Sequence, residues 1–102
     1  MALIIYDIQM LTPLGKKYGQ MHVESQNGRL SGMLSLLGES QPIDGRVQSD
    51  GRCEFSGRLI TLLNTIEYCA KGTIDSDQIQ FFMEGRGKVY PVTGIRREKT
   101  VL

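Results

Sequence analysis

Glycine weakens a β-strand, yet in this chain it recurs at strand-like spacing with an apolar residue two positions on. The pattern appears in "YGQM" from Tyr18, "SGML" from Ser31, "DGRV" from Asp44, "SGRL" from Ser56 and "KGTI" from Lys71, with "TGIR" from Thr93 a degraded copy. Around these glycines the side chains alternate apolar and polar with a period of two, the mark of a half-buried strand. Turn-forming residues punctuate the alternation about every dozen positions, and no helical period of convincing length interrupts it. An inner face that repeatedly lacks a side chain makes room for bulky cross-strand partners and lets each strand bend sharply. Such a sheet can coil until its edges meet. The pattern therefore predicts an all-β fold, an eight-stranded antiparallel up-and-down meander closed into a small barrel, which leaves no exposed edge strands.

The spacing predicts strands at roughly 3–12, 16–26, 29–37, 42–48, 52–63, 66–74, 78–84 and 88–97. Asn27 and Gly28 are the preferred pair for a type I′ hairpin, and Ser49, Asp50 and Gly51 suit a three-residue loop with a left-handed glycine. Turns are also expected around Leu14 and Gly15, around Asn64 and Thr65, and at "DSDQ" from Asp75. They place Val23 opposite Gly32, Val47 opposite Cys53, Leu59 opposite Ala70, Thr61 opposite Tyr68, Gly57 opposite Gly72, and Ile8 opposite Met21. Residues facing each other must share a side of the sheet. All these pairs do.

The strand count, short turns and glycine placement resemble the calycin group of small barrels, which includes lipocalins, fatty-acid-binding proteins and avidins. The resemblance implies an up-and-down barrel able to hold a small ligand. It carries no ligand residues across, because the chain has no tryptophan for a lipocalin "GxW" and the biotin-site residues of avidins have no counterparts.

At 102 residues, positions 1–102 are expected to form a single domain. A net charge of +1 gives no reason to expect nucleic acid or a membrane as partner. The opening "MALIIYDIQM" contains Asp7, has no basic start and falls short of a membrane span. A cytoplasmic location is the expectation. Cys53 and Cys69 lack metal-ligand spacing and fall on opposite faces, so they are expected to be free thiols.

On the inner face the alternation places Tyr6, Ile8, Met10, Met21, Val23, Leu34, Leu36, Val47, Phe55, Leu59, Tyr68, Ile74, Phe81 and Met83, with Thr61 as its small polar member. An eight-stranded barrel is about wide enough to be filled by side chains or to hold one small ligand. Tyr6, Thr61 and Tyr68 are the polar groups expected to orient a mostly apolar ligand there. The only histidine, His22, falls on the outer face, so a metal site or a triad has no second imidazole. The scattered glutamates form no acid and base pair by spacing. Neither enzymatic activity nor a cofactor is expected, and "EGRGK" from Glu84 reads as a hairpin tip rather than a phosphate cradle.

On the outer face Arg58 and Lys71 are expected to face each other, a like-charge pair that would favour an anion between them, while Arg46 pairs with Glu54. Leu3, Ile5, Met33, Leu37, Ile60, Leu62 and Phe82 share that face. An apolar patch of this kind points to self-association, a homo-oligomer such as a dimer, with Met33, Leu37, Ile60 and Leu62 at the interface. Two functions are thus expected: a non-enzymatic barrel holding a small apolar ligand, and a solid homo-oligomeric interaction module.

Overall fold

The computed structural model describes residues 2–36, 38–61 and 63–97. Eight strands follow one another in a meander: β1 (Ala2–Thr12), β2 (Gly15–Gln26), β3 (Arg29–Leu36), β4 (Glu39–Val47), β5 (Arg52–Ile60), β6 (Thr65–Ile74), β7 (Gln78–Gly85) and β8 (Lys88–Arg96). Each is antiparallel to the next, and β8 returns to pair with β1, where Tyr6 faces Arg96 and Met10 faces Val92. The barrel is closed, as the sequence pattern predicts. No helix long and apolar enough to cross a membrane is present among the described residues.

Close approach of backbones explains the recurrent glycines. A Cβ at Gly19, Gly32, Gly45 or Gly72 would run into a backbone carbonyl of the adjacent strand, that of Ser35, His22, Glu54 or Gln80 respectively. Prolines obey the same geometry, because a residue without an N–H is tolerated only beside an unpaired stretch. The β4–β5 ladder stops at Asp44 and Ser56, so Pro42 lies beyond its end. Pro91 lies one residue beyond the last β1–β8 pair, Met10 and Val92.

Three of the five expected turns set the register foreseen for them: Val23 faces Gly32 and Val47 faces Cys53, and the loop from Asp75 puts Gly72 opposite Phe81. Two are shifted. The first turn centres on Pro13 and Leu14, with Thr12 Oγ1 accepting from the Leu14 N–H, so Ile8 faces Gly19 and Tyr6 faces Met21. After β5 the chain makes a longer loop, in which Thr61 N–H donates to the Asn64 carbonyl and Thr61 Oγ1 accepts from the N–H groups of Leu63 and Asn64. Leu59 therefore faces Ile66, Gly57 faces Tyr68, and Gly72 faces Cys53. Both shifts are by even numbers of residues, so every side chain that stays within a strand keeps its face, and only Thr61, now in the loop, leaves it.

The core consequently matches the expected inner face, with Leu30, Ile43, Cys53, Ala70, Ile79 and Val92 added, Val47 and Ile74 only partly buried and Thr61 absent. Cys53 is buried, Cys69 exposed, and both are free. Burial pushes the Cys53 thiol up from its ordinary pKa. Under native conditions a thiol reagent should titrate one fast and one slow cysteine, and alkylation followed by peptide mass mapping should place the fast one at Cys69. Equal rates would show that Cys53 is not shielded.

Candidate functional site

The two ends of the barrel differ. At the lower end, which carries the β2–β3, β4–β5 and β6–β7 connections, loops are tied to neighbouring strands. Val47 N–H donates to the Gly28 carbonyl, Ile74 N–H to that of Gly51, and Arg96 N–H to that of Asp77. Among the described residues the upper end has no such backbone bonds between a loop and a neighbouring strand, and its β5–β6 loop is bonded only within itself.

Tyr6, Thr61 and Tyr68 are not brought together. Tyr6 points to the lower end, where its hydroxyl donates to the Asp75 carbonyl in the β6–β7 loop. Burial first, then the nearby Asp75 carboxylate, push its phenol up to about 12. Thr61 has left the inner face for the β5–β6 loop at the opposite end, where its hydroxyl shapes the turn. Tyr68 is buried in the upper half, its ring edge-on to Phe55 at 6.4 Å between centroids. The Tyr68 hydroxyl lies over Gly57 with no hydrogen-bond partner, and burial raises its pKa as well.

The two tyrosines should respond oppositely to loss of their hydroxyls. Tyr6→Phe removes a made bond and should cost about 1 kcal/mol, whereas Tyr68→Phe removes a buried orphan and should stabilise by about 1 kcal/mol. Thermal unfolding of the two variants checks both signs. The Tyr6 contribution also carries a pH dependence. Between pH 10 and about 12 the unfolded chain releases this proton while the fold retains it, so stability is complete below pH 10 and falls as pH rises through that window.

A concavity of about 210 Å³ opens at the upper end between β5, β6, β7 and β8. Core side chains Leu59, Tyr68 and Met83 make its wall together with Ile66 and Tyr90. Met83 and Tyr90 face each other across β7 and β8, and Gly85 faces Lys88 one step higher at the rim. The rim turn, Arg86 and Gly87 with φ of 52° and 74°, is a type I′ hairpin. Arg86 and Lys88 are the charged lining residues, and no carboxylate lines the pocket. Sequence reasoning missed this site. Its signal was "GRGKVY" from Gly85: two cations on a hairpin tip, with Lys88 and Tyr90 at inward positions.

Other depressions carry an acid among their lining residues. A larger one of about 490 Å³ at the lower rim is lined by Arg46, Arg52, Glu54 and Lys71. There Arg46 and Lys71 both face Glu54, and Arg52 pairs with Asp50 at 2.8 Å. The expected like-charge contact of Arg58 and Lys71 is therefore corrected. The longer β5–β6 loop slides β6 so that Arg58 faces Glu67, at 3.9 Å, and each cation has an acid opposite.

Of the expected interface residues, Met33 is 38% exposed and Ile60 is half-buried, while Leu37 and Leu62 lie outside the described residues. His22 is half-buried on the outer face between Ile5 and Met33. Among the described residues no group of three His, Cys, Asp or Glu side chains is placed to hold a metal ion.

No protein-family model matches the sequence, and no curated protein does either. Solved structures do. A redesigned β-barrel, mFAP1, bound to DFHBI superimposes with a TM-score of 0.67 at 18% identity, over 91% of this chain and 92% of that one. A second redesigned β-barrel gives 0.62 at 14% identity, over 93% and 90%. The chain has the fold of these redesigned barrels. At such identity the likeness concerns the fold alone.

Proposed function

We propose that this protein is a non-enzymatic binding barrel, calycin-like in kind, that holds a small, largely apolar molecule at its upper end rather than in its centre. One observation carries the reading: the upper concavity is walled by the barrel's own core side chains, Leu59, Tyr68 and Met83, so a ligand there completes the core. That mFAP1, of the same fold, is bound to DFHBI supports a binding role for such a barrel. The size sets the scale. An engineered cavity of ~150 Å³ in another protein holds benzene, so a volume of about 210 Å³ suits a single-ring molecule. The setting we propose is cytoplasmic, on the strength of sparse cysteine use.

Titration with toluene, followed by backbone amide resonances, tests the site. Shifts confined to Leu59, Ile66, Tyr68, Met83 and Tyr90 are the expected result. Shifts elsewhere, or none near saturation, would overturn it.

A second reading, self-association, is favoured by exposed apolar side chains on adjacent strands. Phe82 is 62% exposed and faces Pro91, with Val89, Leu11, Tyr18 and Ile95 on β8, β1 and β2 also more than half in water. Burying a few of them would contribute about 1.5 to 3 kcal/mol each, enough to hold a dimer once the cost of association is met. Light scattering at micromolar concentration should then give twice the 11.4 kDa chain mass, and a monomeric mass would remove this reading.

A further inference from the structure

We infer that the upper pocket selects a compact monoanion, a carboxylate on a single-ring or similarly small apolar body. The inference rests on the binding role proposed above and adds the charge of the ligand to it. Two observations carry it. The wall is apolar down to Met83 and Tyr68, while the rim carries Arg86 and Lys88 and no carboxylate. Among the described residues neither cation has a carboxylate within ion-pairing distance, and Lys88 faces Gly85; Arg29, Arg52, Arg58 and Arg97 are ion-paired, and Arg46 and Lys71, which are not, at least face Glu54.

The chain as a whole is nearly neutral, so this is a local arrangement and not a consequence of a basic protein. The β7–β8 turn holds the two cations on either side of Gly87, and Lys88 shares the inward parity of Tyr90 and Val92. A carboxylate at the rim would accept charge-assisted hydrogen bonds from the Arg86 fork and the Lys88 ammonium, while the ring it carries displaces water from Leu59, Ile66 and Met83. A neutral ring would gain the second contribution without the first. The volume of about 210 Å³ leaves no room for a long chain.

The test compares benzoate with benzamide, which have the same shape and differ in charge, by amide-resonance titration at low salt. Benzoate should bind about five- to tenfold more tightly, since rim-exposed charge pairs and charge-assisted hydrogen bonds are worth that much. The preference should shrink in 0.5 M salt, where screening extends only ~4 Å. The double variant Arg86→Asn, Lys88→Gln should bind both probes equally. Asparagine suits the left-handed position at 86, so the turn is kept. Equal binding by the wild type would overturn the inference and leave the pocket standing. A benzoate preference that survives in the double variant would also overturn it. Failure of both probes to bind the folded wild-type protein would instead overturn the binding role itself.

Discussion

Gly72→Ala should destabilise the barrel by about 3 kcal/mol or more, a larger loss than a single methyl group inflicts on most cores. At this position the added Cβ would meet the Gln80 carbonyl oxygen, the Phe81 Cα at 2.5 Å and the Phe81 Cβ at 2.7 Å. All three belong to the main chain of β7 or to the root of its side chain, and none can swing aside. Relief requires β6 and β7 to separate, which breaks the ladder from Cys69 to Ile74. Gly57→Ala is the informative contrast. Its Cβ would meet the Tyr68 hydroxyl at 2.6 Å, Tyr68 Cζ at 3.0 Å and the Pro42 carbonyl at 3.1 Å, so a small rotation of the Tyr68 ring relieves most of the conflict. That variant should lose only about 1 kcal/mol, within the lower part of the overpacking range. Denaturant unfolding of both proteins measures the difference directly. Similar losses would mean that the glycines are not where the sheet bends against its neighbour.

The same glycines show why so much of this fold was legible in the sequence. They lie on one face of consecutive strands, β2 to β6, and that parity survives errors of register as long as the errors are even. Moving the first turn from Leu14 and Gly15 to Pro13 and Leu14 changed the partner of Ile8 from Met21 to Gly19 and left both inward. The four-residue slide of β6 was harder to foresee. In "ITLLNT" the apolar run through Leu62 and Leu63 continues the look of a strand, while the turn is made by a threonine hydroxyl capturing two N–H groups, chemistry that strand propensity does not report. Pairings that depended on that turn, Thr61 with Tyr68 and Arg58 with Lys71, went with it. The upper pocket was illegible for another reason. Its wall residues announce themselves as core, but the space between them is a difference between side-chain volume and barrel width. The short side of that difference is Gly85, where a Cβ would already touch Ile66 Cγ2 and the Glu67 carbonyl, each at 3.0 Å.

Phe81→Ala should cost about 3 to 5 kcal/mol and convert a solid barrel into a hollow one. Phe81 is 2% exposed and packs edge-on against Phe55 at 4.9 Å between centroids, and Phe55 in turn meets Tyr68. This aromatic chain links β7, β5 and β6 inside the barrel, and its last member, Tyr68, is a wall residue of the upper pocket. In a chain of this length the loss corresponds to a fall in melting temperature of the order of 15 °C or more. If that proves too severe for folding, Phe81→Leu keeps the inward apolar side chain and should show the same effect in reduced form, about 1 kcal/mol. The functional consequence separates a packed interior from a loose one. In a rigid barrel the lost ring leaves an apolar cavity, and toluene should fill it and recover part of the melting temperature, beyond any shift it produces in the wild type. In a barrel that collapses around the gap, stability should fall less and toluene should restore nothing further. The first outcome would show that Phe55 and Phe81 confine the ligand to the rim. The second would show that the interior adapts to what it holds, and the placement of the binding site at the upper end would lose its physical basis.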